Sequence, residues 1–64
     1  MTPQKGQINQ IQKALGSGIV KTDITIVMEF GSDNGDGFLG DFIASVKGSL
    51  YRFNEDKTFK KIRA

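Results

Sequence analysis

The carboxylates best placed to do chemistry are concentrated near the middle of the chain. Residues 31–37 read GSDNGDG and supply Asp33 and Asp36, and Asp41 follows shortly after them. Carboxylate oxygens bind Ca²⁺ or Mg²⁺, and paired carboxylates in a cleft act as general acid and base. A metal-dependent enzyme built on these residues is therefore one function to weigh, although a single small sheet offers little concavity for such a site.

Residues 31–37 do not match a calcium-binding EF-hand loop. Aligning Gly37 with the glycine of such a loop places Ser32 at its first position and Ile43 at its last, where calcium needs a glutamate. A phosphate-binding loop is also disfavoured, because its glycines open a helix whereas these glycines precede a strand pattern. The segment is best interpreted as the tip of a β-hairpin with an acidic rim, and no metal or cofactor is predicted.

A three-residue loop at residues 33–35 gives this hairpin a register that follows the apolar pattern. It places Gly35 at the left-handed position of the loop and keeps the large apolar side chains on one face. The predicted partners are Phe30 with Phe38, Met28 with Gly40, Ile26 with Phe42, and Ile24 with Ala44.

The elements around this hairpin predict one helix followed by strands. Thr2 and Pro3 resemble an N-cap and a first helical position, and a helix is predicted over residues 3–15. Its apolar stripe is formed by Ile8, Ile11 and Leu15. The alternating segments that follow predict further strands, joined by turns at Gly48–Ser49 and at residues 55–57. The fold class is therefore α+β, with one N-terminal helix packed on a four-stranded antiparallel meander sheet, as one domain of residues 1–64.

Composition limits the chemistry of the chain. It has 64 residues and neither cysteine nor histidine, which excludes disulfides, thiolate zinc sites and catalysis by those side chains. A domain near this size buries only ~60% of the surface of its unfolded chain, so a partner subunit would be a natural aid to stability. No apolar run approaches the ~20 residues of a membrane helix, and no signal peptide is recognisable. We expect a cytoplasmic protein and no enzymatic activity.

Charge is segregated along the chain. Residues 1–21 carry three bases and no acid, residues 22–46 carry five acids and no base, and residues 47–64 carry six bases and two acids. The net charge is +2. An acidic middle is thus set between basic ends, although small proteins often carry their charge unevenly without a functional reason.

The alternation predicts two unequal faces for the sheet. The helix-facing side is predicted to hold Ile24, Ile26, Met28, Phe30, Phe38, Phe42, Val46, Tyr51, Phe53 and Phe59. The opposite side is mixed, and its apolar members are Val27, Leu39, Ile43, Leu50 and Ile62. One helix cannot cover both sides, so this second apolar set predicts an interaction site; closure of the sheet into a small barrel is the alternative.

The leading functional hypothesis is a small adaptor, inhibitor or regulator that binds a protein, or a second copy of itself, through the opposite side of the sheet. The apolar residues of that side would supply the contact. The charged residues that would orient the partner are Glu29, Asp41, Arg52 and Lys60.

The rival hypothesis is a nucleic-acid-binding module. The C-terminal segment interleaves bases with aromatic residues, a combination that suits single strands. The candidate residues are Lys47, Arg52, Lys57, Lys60, Lys61 and Arg63. Against it, the predicted register places the aromatic residues in the core, and lysines also protect edge strands from unwanted pairing. No small-molecule substrate is indicated by the sequence.

Overall fold

The structure is an α+β fold in which one helix packs against an antiparallel sheet. The computed structural model describes residues 2–33 and 38–64. Its elements are helix α1 (Lys5–Leu15), a 3₁₀ turn (Lys21–Asp23), and strands β1 (Ile24–Glu29), β2 (Ser32–Asp33), β3 (Phe38–Leu39), β4 (Phe42–Val46), β5 (Ser49–Phe53) and β6 (Phe59–Arg63). A four-stranded sheet has the order β1-β4-β5-β6, and β2 and β3 form a two-stranded extension of its first hairpin. The predicted fold class is confirmed.

Helix α1 begins at Lys5 rather than at Pro3. Gln4 is the N-cap residue, and its carbonyl accepts a hydrogen bond from the Ile8 N–H at 2.9 Å. The Gln7 side chain reaches back and accepts a hydrogen bond from the Gln4 N–H at 2.8 Å. A bond from this third helical residue back to the N-cap N–H is half of a capping box, and it helps to fix the start of the helix at Lys5.

The predicted helix stripe faces the sheet. Ile11 is fully buried, and Ile8 and Leu15 pack partly buried against the core. The buried apolar residues are Ile11, Ile19, Ile24, Ile26, Phe38, Phe42, Ala44, Val46 and Phe53. Phe42 and Phe53 are cross-strand partners with stacked rings whose centroids are 5.1 Å apart. Burial of a phenylalanine is worth ~1.5–3 kcal/mol, so these two rings supply a large part of the stability expected for a small domain.

A β-bulge at Val27 changes which residues of the first hairpin face the helix. The successive register pairs are Ile26 with Ala44 and Met28 with Ile43. Val27 is therefore an extra residue, and an insertion of one turns every later side chain to the opposite face. Met28 and Phe30 are accordingly 49% and 50% exposed. The prediction that these two residues face the helix is wrong for this reason.

At the start of β1 and in the β4–β5 hairpin, the observed cross-strand pairing is shifted from the predicted pairing by two residues. A shift of two leaves every side chain on its predicted face. The observed pairs are Ile24 with Val46 in the first hairpin and Val46 with Ser49 in the second. The second hairpin therefore turns at Lys47 and Gly48, not at Gly48 and Ser49. Both turn residues have positive φ, 51° and 87°, as a two-residue type I′ turn requires.

The tip of the first hairpin is only partly described. Asp33 pairs with Phe38, so Asp33 belongs to a strand and not to the predicted three-residue loop. Residues 34–37 lie outside the described residues, and the predicted left-handed Gly35 lies there with them.

The turn end of the last hairpin agrees with the prediction, whereas a bulge at Ile62 shifts the register at its far end. Phe53 pairs with Phe59. The Asn54 N–H donates to the Thr58 carbonyl at 2.8 Å, which closes a three-residue loop. The last residue of that loop, Lys57, has the predicted left-handed conformation with φ 76°.

The two strands of the first hairpin approach closely at Gly31. A Cβ on Gly31 would lie 2.7 Å from the Gly40 Cα and closer still to the Leu39 carbonyl oxygen. Gly40 has φ 118°, a conformation that L side chains rarely adopt. Because the obstructing atoms belong to the backbone, they cannot swing aside, and both positions require glycine.

Gly31→Ala should therefore lower the free energy of unfolding by about 1–3 kcal/mol, since its methyl group must push the facing strand away. Gly18→Ala is the matched control, because no atom of the described residues lies within 4 Å of a Cβ at Gly18. Urea denaturation followed by circular dichroism measures both variants. Equal stability of the two would contradict the close approach at Gly31.

Candidate functional site

The sheet surface that faces away from helix α1 carries most residues predicted to bind a protein. Phe38 and Phe42 are buried on the helix side, so the residues alternating with them point away from the helix. Cross-strand partners lie on the same face of a sheet, so the pairing of Ile43 with Arg52 and of Arg52 with Lys60 continues this surface across the strands. We name it the open face, and its members are Met28, Phe30, Leu39, Asp41, Ile43, Leu50, Arg52, Lys60 and Arg63.

Two members of the open face are the apolar residues that the bulge displaced from the core. Met28 pairs with Ile43 across the hairpin. The Arg52 guanidinium lies over the Phe30 ring, with its Cζ atom 4.8 Å from the ring centroid. An exposed cation–π contact contributes only ~0.5–1 kcal/mol, so its main effect is to orient both side chains.

Glu29 does not lie where the sequence predicted. Its Oε2 accepts a hydrogen bond from the Gln7 Nε2 at 2.6 Å, and Gln7 is a fully buried residue of helix α1. The bulge at Val27 is the physical reason, because it turns Glu29 towards the helix as it turns Met28 away. Glu29 therefore ties α1 to β1 and does not take part in the open face.

Arg52 and Asp41 form an ion pair on the open face. The Arg52 Nη2 lies 2.7 Å from the Asp41 Oδ2, and the Asp41 Oδ1 accepts a hydrogen bond from the Glu55 N–H at 2.8 Å. The hydrogen bond from Arg52, followed by that from Glu55, lowers the pKa of the Asp41 carboxyl below its ordinary value of 3.8. A carboxylate held in this way is a weak base near neutral pH, and it serves to position Arg52.

The apolar residues of this side are substantially exposed. Leu39 is 51% exposed, while Ile43 and Leu50 are half-buried. Val27 and Ile62, which the sequence also predicted for this side, both occupy bulge positions and are 50% and 48% exposed. Apolar groups rimmed by charges are typical of surfaces that bind another molecule.

The basic residues predicted to bind nucleic acid do not form one patch. Lys47 lies in the β4–β5 turn and Lys57 in the β5–β6 turn, at opposite ends of β5. Lys61 pairs with Tyr51, which packs against the core, so Lys61 lies on the helix side. The other members lie on the open face: Arg52, Lys60 and Arg63. A nucleic acid lying on one face would not reach them all.

Neither a metal cluster nor a membrane helix is found in residues 2–33 and 38–64. Within those ranges no group of three or more potential metal ligands comes together, and Asp36 lies outside them. No helix there is long and apolar enough to cross a membrane.

Three features of the structure were not predicted from the sequence. The exposure of Met28 and Phe30 follows from the bulge, and the uninterrupted apolar run of residues 26–28 is the signal that alternation fails there. The burial of Gln10 beside Ile11 had no signal, since glutamine is an ordinary residue of exposed helix faces. Phe59 faces the helix side as predicted, yet it is 43% exposed.

Comparison with protein-family models finds no match, and comparisons with curated proteins and with solved structures find none either. Function is therefore inferred from the geometry of the described side chains.

Stability should fall when acid protonates Asp41. Its pKa is lowered in the folded protein, so the unfolded chain takes up this proton more readily. The stabilisation is present above the ordinary pKa of 3.8 and is lost as the pH falls through the lower, folded-state pKa. Asp41→Asn should therefore be less stable than the wild type at neutral pH and should lose less stability on acidification.

Urea unfolding measured between about pH 6 and about pH 2 checks this expectation. Asp56→Asn is measured alongside, because hydrogen bonds from the Thr58 side chain and backbone also lower the pKa of Asp56. An Asp41→Asn profile parallel to that of the wild type would show that the Arg52 pair contributes nothing to acid sensitivity.

Proposed function

We propose that this protein acts without catalysis, as a small adaptor, inhibitor or regulator that binds another protein stoichiometrically through the open face. The observation that carries the proposal is the set of half-exposed apolar side chains beside a fixed ion pair. Met28, Phe30 and Leu39 are each 49–51% exposed, and Arg52 lies between the Phe30 ring and the Asp41 carboxylate. A surface of this kind gains by being covered.

The apolar contact alone does not account for binding. Full burial of such a side chain is worth ~1.5–3 kcal/mol, so covering the exposed halves of Met28, Phe30 and Leu39 gains roughly 2–5 kcal/mol. Association costs at least ~4 kcal/mol in lost rigid-body freedom. The charged residues of the open face must therefore contribute to a stable complex.

Charge favours a different protein over a second copy of this chain. Among the described residues of the open face, Asp41 is matched by Arg52, and Lys60 and Arg63 have no acidic counterpart on that face. Two copies stacked face to face would bring these uncompensated bases into one interface, which is unfavourable. The partner that fits is a protein surface with an apolar centre and carboxylates along one flank.

Substitution of Met28 tests the proposal against a matched control. Met28→Lys should weaken partner binding at least about tenfold, because it places a charge in the apolar centre of the contact. Val20→Lys makes the same change at an apolar residue of equal exposure, 51% against 49%, and should bind like the wild type. Lys60→Glu should also weaken binding and should make it less sensitive to salt, because the charges of the open face would then sum to zero.

The measurement is capture on the immobilised wild type, followed by titration of each purified captured protein against all variants. The proposal fails if no captured protein loses affinity for Met28→Lys relative to Val20→Lys. Sedimentation at several protein concentrations tests whether the open face binds a second copy of this chain instead. If the wild type dimerises and Met28→Lys does not, the occupant of the open face is a second copy and not an acidic partner protein.

A further inference from the structure

A cleft lies on the helix side of the sheet, between helix α1 and the β5–β6 hairpin. Its volume is about 470 Å³, within the range of small-ligand sites. The polar and aromatic residues that line it are Asn9, Gln10, Lys13, Lys57 and Phe59. We name this the α1–β6 cleft. It is on the opposite side of the sheet from the open face, so a ligand in the cleft would bind independently of the proposed protein contact.

The first unusual group in this cleft is the carboxamide of Gln10. Its Nε2 donates to the Asn54 carbonyl at 2.9 Å, and the same carbonyl accepts from the Lys57 N–H at 3.0 Å. This bond fixes which end of the amide is the oxygen. Gln10 is only 6% exposed, and its Oε1 has no hydrogen-bond partner among the described residues. A buried acceptor without a partner is rare in a folded protein, and an N–H donor of a ligand in the cleft would satisfy it.

The second group is Lys57, which lines the cleft from a strained backbone position. Its φ of 76° is in the left-handed region, where glycine or asparagine is the usual residue. Lys13 lines the cleft from the helix, so two lysines line the same space. The acids of the neighbouring turn are not in the lining, and the Asp56 carboxylate accepts hydrogen bonds from the Thr58 N–H and hydroxyl. The cleft therefore favours an anionic group.

The third group is the ring of Phe59. It stacks on Phe53 with centroids 6.0 Å apart and planes inclined by 26°, and Phe53 in turn stacks on Phe42. Phe59 is thus supported from the core, yet it is 43% exposed and lines the cleft. A ring held rigidly on one side and open on the other is a stacking platform for a planar heterocycle.

We propose that the α1–β6 cleft binds a nucleobase that carries a phosphate. The base stacks on Phe59, a base N–H donates to the Gln10 Oε1 after a small rotation of the amide, and the phosphate lies between Lys13 and Lys57. A simple anion would leave Phe59 and Gln10 unused, and an apolar ligand would leave the two lysines unused. The same chemistry is presented by a free nucleotide and by one residue of a single-stranded nucleic acid. Lys61 lies on the helix side in β6 and extends the basic surface along which a longer strand would continue.

Two lysines at matching backbone positions provide the test. Lys57→Gly and Lys47→Gly each remove one charge from a hairpin turn at a residue with positive φ, 76° and 51°. Both variants should therefore be at least as stable as the wild type. Only Lys57→Gly should weaken ligand binding, by about tenfold, since a charge-assisted hydrogen bond to phosphate is lost. Phe59→Leu, which keeps an apolar side chain but removes the ring, should weaken binding without abolishing folding.

Two titrations distinguish the sources of the ligand. Adenosine 5′-monophosphate and uridine 5′-monophosphate are titrated into the protein while backbone amide signals are followed by NMR. A fluorescein-labelled oligothymidylate is titrated by anisotropy at low and moderate salt. Shifts at Asn9, Gln10 and Phe59 with the mononucleotides identify a nucleotide site, whereas binding of the oligonucleotide alone identifies a single-strand site.

The proposal is overturned if neither probe binds. It is also overturned if Lys47→Gly weakens binding as much as Lys57→Gly, since the attraction would then be a general effect of charge. Shifts confined to Met28, Leu39 and their neighbours would place the ligand on the open face and would contradict it equally.

Discussion

The width of one helix determines what this sheet can shelter. An α-helix with its side chains is ~10–12 Å across, whereas the outer strands of a four-stranded sheet lie ~14 Å apart at a spacing of ~4.8 Å. Helix α1 buries the inward residues of β1, β4 and the end of β5, and every residue of β6, Phe59–Arg63, stays exposed. The α1–β6 cleft results from this difference in width, and the open face stays uncovered because the described residues form no second α-helix to lie on it.

Two buried glutamines determine how the helix lies on the sheet. An apolar stripe alone would allow the helix to slide, because hydrophobic contact has no preferred direction. Gln7 bonds to Glu29 in β1, and Gln10 bonds to the Asn54 carbonyl at the end of β5. These two hydrogen bonds tie the helix to β1 and to the end of β5, and together they specify one orientation of the helix on the sheet. The same anchoring leaves the Gln10 Oε1 buried in a residue that lines the cleft.

The sequence was sufficient to predict the fold class and most of the core. An error of two residues in the predicted register does not change which face of the sheet a side chain lies on. The turn at Lys47 and Gly48 was misplaced, yet Phe42 and Phe53 still lay on the predicted side. A bulge is different, since one inserted residue exchanges the faces and leaves only a weak trace in the apolar pattern. That is why Glu29 was assigned to the open face and Phe30 to the core. The Gln10 contact was beyond the sequence because it depends on where the β5–β6 turn meets the helix.

The two bulges act alike on the open face. Val27 is the extra residue of β1 and Ile62 that of β6, and these are the outer strands of the sheet. Without the extra residue in β6, Arg63 would lie on the helix side with Phe59 and Lys61, since those residues are two apart. Each bulge thus moves residues to the open face, apolar ones on one flank and a base on the other. Bulges also twist edge strands out of the flat geometry that edge-to-edge pairing needs. Edge-to-edge pairing is therefore disfavoured at both outer strands, and among the described strands β6 alone contributes side chains both to the open face and to the α1–β6 cleft.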